Sequence, residues 1–395
     1  MVKTILEGSI AVGEAVKLCM PGVVAAYPIT PQTHIIEHIA ELVANGEMDT
    51  EYIPVESEHS AMSACLGASA AGVRVYTSTS SQGLALMHEM LFIVSGMRLP
   101  VVMTNANRAL SAPISIWNDQ QDSMAERDTG WIQFYAETAQ EAVDCTIQAY
   151  KIAENHKVLL PVMVNIDGFS LTHTVEPVDL PPQAEVDEFL PEYKPLYNLD
   201  PENPMTFGPI GFPDAYMEFR KQQWDAMNFS PEVIQKAYDE FSEKFKRGYS
   251  GDGERYGYDG TGNAFIEKYK MEDADYAIIT LGSLSGTIKD TIDTLRKEGK
   301  KVGLIKVRTF RPFPKEHIKK ALSGVNAVGV VEKDVTLNVG GALWLEIKAF
   351  MRDTPIYNFI VGLGGRDVRK SDIKMIFGEI ESKKADDVNW IGVNV

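Results

Sequence analysis

Residues 23–46 read V-V-A-A-Y-P-I-T-P-Q-T-H-I-I-E-H-I-A-E-L-V-A-N-G. Four small apolar residues end in Tyr27, and two prolines bracket Ile29-Thr30. Ile35, Ile36, Ile39, Leu42 and Val43 then recur at helical spacing until Asn45-Gly46 supplies a stop. Pro28 and Pro31 fix their own φ and push the residue before each away from the helical region. The spacing therefore predicts a strand, a stiff extended tip holding Thr30, and an amphipathic helix. In an open α/β sheet, ligands bind at such carboxyl strand ends; a rigid turn without chemistry satisfies the same pattern.

Outward from this stretch the alternation continues. Residues 9–20 read as a helix, 51–55 as a short strand, and 58–72 as a helix lined by Ala61, Ser63, Ala64, Gly67, Ala68, Ala70 and Ala71. Strands are expected at 73–76, 99–103, 131–135 and 158–164, with helices at 84–95 and 139–154. Such a run points to a parallel sheet covered on both faces. The pattern lapses from Glu176 to about Gly262, a stretch rich in Pro, Asp, Glu and Tyr with one helix expected near 230–247. An ordered crossing of that length wraps a partner or a second domain. Within it, residues 248–262, G-Y-S-G-D-G-E-R-Y-G-Y-D-G-T-G, are expected to be the most flexible part. A second doubly wound α/β unit follows from about Asp273. The expected division is 1–175, 176–265 and 266–395.

Composition narrows the function. With 395 residues, 45% of them apolar and 24% charged, the chain has room for two or three globular domains. A net charge of −17 argues against nucleic-acid and anionic-membrane partners. No apolar run reaches the roughly 18 residues a membrane span needs, and Glu7 interrupts any signal-like segment. A cytoplasmic location is the expectation. Cys19, Cys65 and Cys145 are scattered, with no C-x-x-C, so neither a zinc nor an iron–sulfur framework is expected, nor any resident metal. His34 and His38, four apart on one helix, would make half a metal site or an ordinary partly exposed face.

Three polar residues fall at predicted strand ends: Thr30, Glu58 and Arg108. Glu58 reads either as a first-turn carboxylate favoured by the helix dipole or as a buried acid able to share a proton with a ring nitrogen. Arg108 suits a bidentate grip on a carboxylate or phosphate; a structural salt bridge to Asp119 or Asp122 is the equal alternative. Gly282–Gly286 and G-L-G-G-R-D at 362–367 fit neither G-x-G-x-x-G nor a P-loop and read as turns.

Taken together, Y-P-I-T-P (27–31), V-E-S-E-H-S-A (55–61), S-Q-G-L-A-L-M-H-E (81–89), N-R-A-L-S-A-P-I-S-I-W-N-D-Q-Q-D (107–122) and R-D-T-G-W-I-Q-F-Y (127–135) resemble the α subunit of 2-oxoacid:ferredoxin oxidoreductases, the pyruvate type most closely. L-T-H-T-V-E-P-V (171–178), V-R-T-F-R-P-F-P (307–314) and G-L-G-G-R-D-V (362–368) extend the resemblance over nearly the whole chain. It implies a thiamine-diphosphate fold: a pyrimidine-binding domain first, then a transketolase C-terminal-like domain. By the same resemblance Glu58 hydrogen-bonds the aminopyrimidine ring and promotes loss of the thiazolium C2 proton. Arg108 binds the substrate carboxylate, Thr30 meets the substrate or its adduct, and Pro28 and Ile29 line the cofactor side. The implied reaction converts pyruvate and coenzyme A to acetyl-CoA and carbon dioxide, passing electrons through iron–sulfur clusters to ferredoxin, and is reversible. A diphosphate-binding subunit would hold the diphosphate and Mg2+. A ferredoxin-like subunit would carry [4Fe-4S] clusters, and a gamma-type subunit would complete the assembly. The rival readings are oxalate, a branched 2-oxoacid or 2-oxoglutarate as substrate, and a non-catalytic scaffold on the same fold. A neutral Thr30 favours pyruvate over the doubly charged oxalate.

Overall fold

The computed structural model describes residues 2–247 and 263–394; the glycine-rich run expected to be flexible lies outside them. The chain starts with a strand, β1 (Val2–Glu7), followed by a helix over Gly8–Cys19. Then come β2 (Val23–Ala26), β3 (Glu51–Pro54), β4 (Val75–Thr79), β5 (Val102–Asn107), β6 (Ile132–Tyr135) and β7 (Val162–Asp167). These six are mutually parallel in the spatial order β6-β7-β5-β4-β2-β3. β4, β5, β6 and β7 are buried along their whole lengths, as expected for a parallel sheet with helices on both faces. The small-residue helix Glu58–Ala70 buries Ala61, Met62, Cys65 and Ala70 in one of the resulting core layers.

The crossing segment opens with β8 (Val175–Leu180), which pairs antiparallel with β1 as a separate two-stranded ribbon. Its main helix runs over Tyr216–Phe245, well upstream of the expected start. Pro231 lies inside it beside the buried Ser230, whose hydroxyl bonds Met227 O at 2.8 Å. The unexpected first half carries Met217 and Trp224 in the open, Trp224 at 65% exposure. The expected 84–95 helix is likewise two, Ser81–Leu86 and His88–Gly96, parted at Met87.

The second sheet holds β9 (Ile266–Tyr269), β10 (Tyr276–Thr280) and β11 (Val302–Val307). β12 (Thr309–Arg311) leaves that sheet and pairs antiparallel with β6 at the edge of the first. β13 (Ala327–Glu332), β14 (Ile356–Ile360) and β15 (Val388–Trp390) complete the order β15-β14-β13-β10-β11-β9.

Charge is buried where the two sheets meet. Lys306 Nζ, fully buried, lies 2.8 Å from Glu137, 3.0 Å from Glu141 and 2.9 Å from Glu267. Lys289 reaches Glu137 at 2.8 Å and Glu267 at 2.6 Å, and Arg308 Nε is 3.3 Å from Glu141. Three cations thus face three carboxylates, and a buried ion is tolerated only when partnered in this way. Replacing Lys306 with Met should lower the unfolding free energy by about 3–5 kcal/mol, because carboxylates would stay buried without their cation. Denaturant unfolding measures this, and a loss below about 1 kcal/mol, the scale of an exposed pair, would show that the cluster is not held dry.

Candidate functional site

The carboxyl ends of β2, β3, β4 and β5 converge, and the sequence-predicted residues emerge from three of them. After β2, Thr30 is exposed at the tip, with Pro28 exposed and Ile29 half-buried beside it. Gln32 anchors this tip. Its fully buried amide donates to Ser78 O at 2.7 Å and accepts from Ile29 N at 3.3 Å, tying the loop to β4. After β3, Ser57 caps the helix Glu58–Ala70 by accepting from Ser60 N at 3.2 Å. That cap places Glu58 in the first turn, 6% exposed.

Glu58 rests on a glycine. A Cβ at Gly83 would lie 2.6 Å from Glu58 Oε1 and 2.5 Å from Thr79 Oγ1, so any side chain there would evict the carboxylate. Among the described residues no hydrogen bond or ion pair engages Glu58. Its carboxylate oxygens are not sealed from solvent and so stay available to a ligand.

Arg108, also 6% exposed, leaves β5. Its Nη1 donates to Thr30 O at 3.0 Å and its Nε to Ser115 O at 2.8 Å, so Arg108 and Thr30 are brought together. No internal partner occupies Nη2 among the described residues. Burial pulls the guanidinium below its usual range, with Asp122 opposing. Neither aspartate forms the expected salt bridge. Asp122 accepts the Arg108 backbone N–H at 3.0 Å instead, and Asp119 accepts from Gln121 N and Gly364 N, both at 3.1 Å.

Asp122 is the residue that sequence reasoning undervalued. Fully enclosed, it accepts from Ser81 N (3.0 Å), Asn105 Nδ2 (3.2 Å), Asn107 Nδ2 (2.8 Å), Arg108 N (3.0 Å) and Ser123 N (2.8 Å). It thereby fixes both the Arg108 loop and the turn that carries Gly83. Ser81 within that turn has φ +51°, a conformation that costs a non-glycine residue about 1–3 kcal/mol and is held by the Asp122 bond. The available signal was the pair Asn105 and Asn107, amides where a buried parallel strand should be apolar.

The 362–367 stretch is a 3-10 turn, whereas of Gly282–Gly286 only the first two residues turn and Leu284 onward begins the helix Leu284–Lys297. Gly365 N bonds Asn118 O at 2.7 Å, and Ser283 N bonds Asp167 at 3.1 Å, so these amides are spent inside the fold. Asp167 also takes Lys333 Nζ at 3.1 Å. A cleft of about 460 Å3 runs between these loops, bordered by Asn118, Ser170, Ser283, Lys333 and Arg366. His34 and His38 do not act together: His34 pairs with Glu7 at 2.6 Å and His38 with Glu14 at 2.8 Å. All three cysteines are buried, which pushes Cys65 up to about 12 and Cys145 up to about 11. No helix is long and apolar enough to cross a membrane among the described residues.

Residues 14–239 match the family described as pyruvate flavodoxin/ferredoxin oxidoreductase, thiamine-diphosphate-binding. The chain belongs to this oxidoreductase family. Residues 274–373 match the pyruvate:ferredoxin oxidoreductase core domain II. Pyruvate synthase subunit PorA of Methanocaldococcus jannaschii is 55% identical over 98% of this chain and 97% of its own length. Ketoisovalerate oxidoreductase subunit VorA of Pyrococcus horikoshii is 48% identical over 98% of each. The solved 2-oxoglutarate:ferredoxin oxidoreductase from Magnetococcus marinus superposes with TM-score 0.72 at 20% identity, covering 96% of this chain and 65% of that one. An inactive split-gene transketolase tetramer gives TM-score 0.54 at 12% identity, over 95% of this chain and 98% of that one. The fold is thus the thiamine-diphosphate-binding fold joined to a transketolase-like α/β unit.

In this oxidoreductase chain, burial first and the neighbouring Asp122 second push Asp119 up from 3.8 to about 7. The folded protein therefore holds that proton more tightly than the unfolded chain. The associated stability is present at low pH and is lost as pH rises from 3.8 through about 7. Unfolding free energy measured across that window should fall, and Asp119→Asn should remove this part of the slope. An equal slope in the variant would mean that Asp119 titrates normally.

Proposed function

We propose that this chain is the α subunit of a multi-subunit pyruvate:ferredoxin oxidoreductase, converting pyruvate, coenzyme A and oxidised ferredoxin to acetyl-CoA, carbon dioxide and reduced ferredoxin. Two electrons leave per pyruvate, one to each ferredoxin, and the reaction is reversible. The observation that carries the reading is Glu58, buried, without an internal partner, and seated on a glycine that leaves room for nothing else. An orphaned acid of this kind fits the aminopyrimidine of thiamine diphosphate, which offers it a ring nitrogen. Relatives named pyruvate synthase at 55% and 53% identity support the substrate.

Thiamine diphosphate, when bound, supplies the carbon nucleophile and accepts the electron pair left by decarboxylation. Glu58 holds a proton at the ring nitrogen and so sets the tautomer of the cofactor. Pro28 and Ile29 line its pyrimidine side. Arg108 offers Nη2 to the substrate carboxylate while its other nitrogens grip Thr30 O and Ser115 O, which orients the fork. Thr30 presents its hydroxyl to the keto oxygen. The diphosphate, Mg2+ and [4Fe-4S] clusters fall to partner subunits: a diphosphate-binding chain, a ferredoxin-like chain and a gamma-type chain. The three buried cysteines here suit no cluster. Residues 1–175, 176–265 and 266–395 serve as working units, and a cytoplasmic, anaerobic setting suits the low-potential acceptor.

Ketoisovalerate is the second reading, favoured by VorA relatives at 48% identity. A panel of 2-oxoacids on the purified complex, followed by viologen reduction with and without coenzyme A, separates the two: pyruvate should give the highest kcat/KM. Preference for a branched substrate would overturn the assignment. In the same complex Glu58→Gln should lower kcat by about 10²–10⁴-fold, the scale of a lost proton-transfer group, and slow exchange of the cofactor C2 proton. Wild-type exchange would remove Glu58 from the chemistry. Arg108→Ala should cost about 2–4 kcal/mol in kcat/KM for pyruvate, and an unchanged value would make Arg108 structural.

A further inference from the structure

Glu7, His34 and His173 come from three separate elements and meet at one point. Glu7 ends β1, His34 is the second residue of the helix Thr33–Ala44, and His173 follows β7 in the turn that leads to β8. One ligand atom from each lies within 4.8 Å of the other two, the one such group of three His, Cys, Asp or Glu side chains among the described residues. His34 Nδ1 is 2.6 Å from Glu7 Oε1, and the two imidazole rings lie 4.6 Å apart between centroids. Thr172 Oγ1 accepts from Phe169 N at 2.8 Å and sits 2.7 Å from His173 Nδ1. The fully buried Thr172 hydroxyl thus ties one ring nitrogen of His173 to the turn. A hydrogen bond at one ring nitrogen fixes the ring and leaves the other nitrogen for an ion, as in metal-binding histidines.

We propose that Glu7, His34 and His173 bind one divalent transition-metal ion of the zinc class. Two imidazoles and one carboxylate suit that class, with water completing the tetrahedron. The ion takes the place of the direct hydrogen bond between His34 and Glu7. It would staple the β1–β8 ribbon to the helix that begins just after Thr30 and to the turn after β7. Phe169 packs against His173 at 4.7 Å and against Trp117 at 4.6 Å. Trp117 O in turn accepts from Ala109 N at 3.0 Å, so the staple also braces the Arg108 loop. This role is positional: the ion would brace the elements beside Thr30 and Arg108.

The test uses the intact complex, treated with EDTA and titrated with Zn2+ alone by calorimetry, with retained zinc counted by elemental analysis. Wild type should hold one Zn2+ per chain more than the His34→Ala/His173→Ala double variant, and Zn2+ should raise the melting temperature of wild type alone. Thr172→Val, which keeps the shape and removes the orienting hydroxyl, should weaken zinc binding by about 10–100-fold. His38→Ala, which loses only its contact with Glu14, should bind as wild type does. Glu7→Gln should lose the site while keeping the fold, as read by circular dichroism. Equal zinc uptake by wild type and the double variant, or wild-type affinity in Thr172→Val, would overturn the proposal.

Discussion

One carboxylate holds the site's loops in register. Asp122 takes five N–H donors from the ends of β4 and β5 and from its own helix. Sheet hydrogen bonds stop at Thr79 and Asn107, and beyond them each chain must be aimed by something else. Asp122 does the aiming for two loops at once. Gln32 extends the same device to the third, bonding Ser78 across the neighbouring strand. The backbone at Thr30 and Arg108 is therefore placed by buried amide and carboxylate contacts, while Glu58 is placed by the Ser57 cap.

Charge is buried between the two sheets as well. Lys306, Glu137, Glu141 and Glu267 lie between the sheets, where an apolar contact would have been simpler. Removing charge from water is costly, and the pairing recovers that cost only at a defined geometry. Such a contact tolerates little sliding. The Asp167, Ser283 and Lys333 cluster repeats the device closer to the cleft. Both clusters fix the separation of the two sheets beside the cleft.

Much of this was legible in the residues. The Val23–Gly46 stretch gives its strand and helix because apolar periodicity and two prolines agree on the same boundaries. Thr30 and Arg108 were recognisable as strand-end residues, although their mutual bond was not. The β1–β8 ribbon escaped notice because its pairing spans some 170 positions and leaves no local signal. The first half of the Tyr216–Phe245 helix was hidden by Pro231 and by apolar residues that face outward, which blurs the amphipathic pattern. Asp122 looked like a salt-bridge partner because charge is visible in sequence, whereas backbone N–H groups in need of an acceptor are not.

Strand β12 carries a consequence for ancestry. Its three residues are encoded after β11 of the second sheet, yet they edge the first sheet beside β6. A gene cut between the two units would strip the front half of its border strand and of Arg308 and Lys306. Recombination that swaps a back half between distant relatives must therefore carry a matching front half along. Inheritance of the two halves is coupled through about ten ångströms of backbone, the length of a three-residue strand.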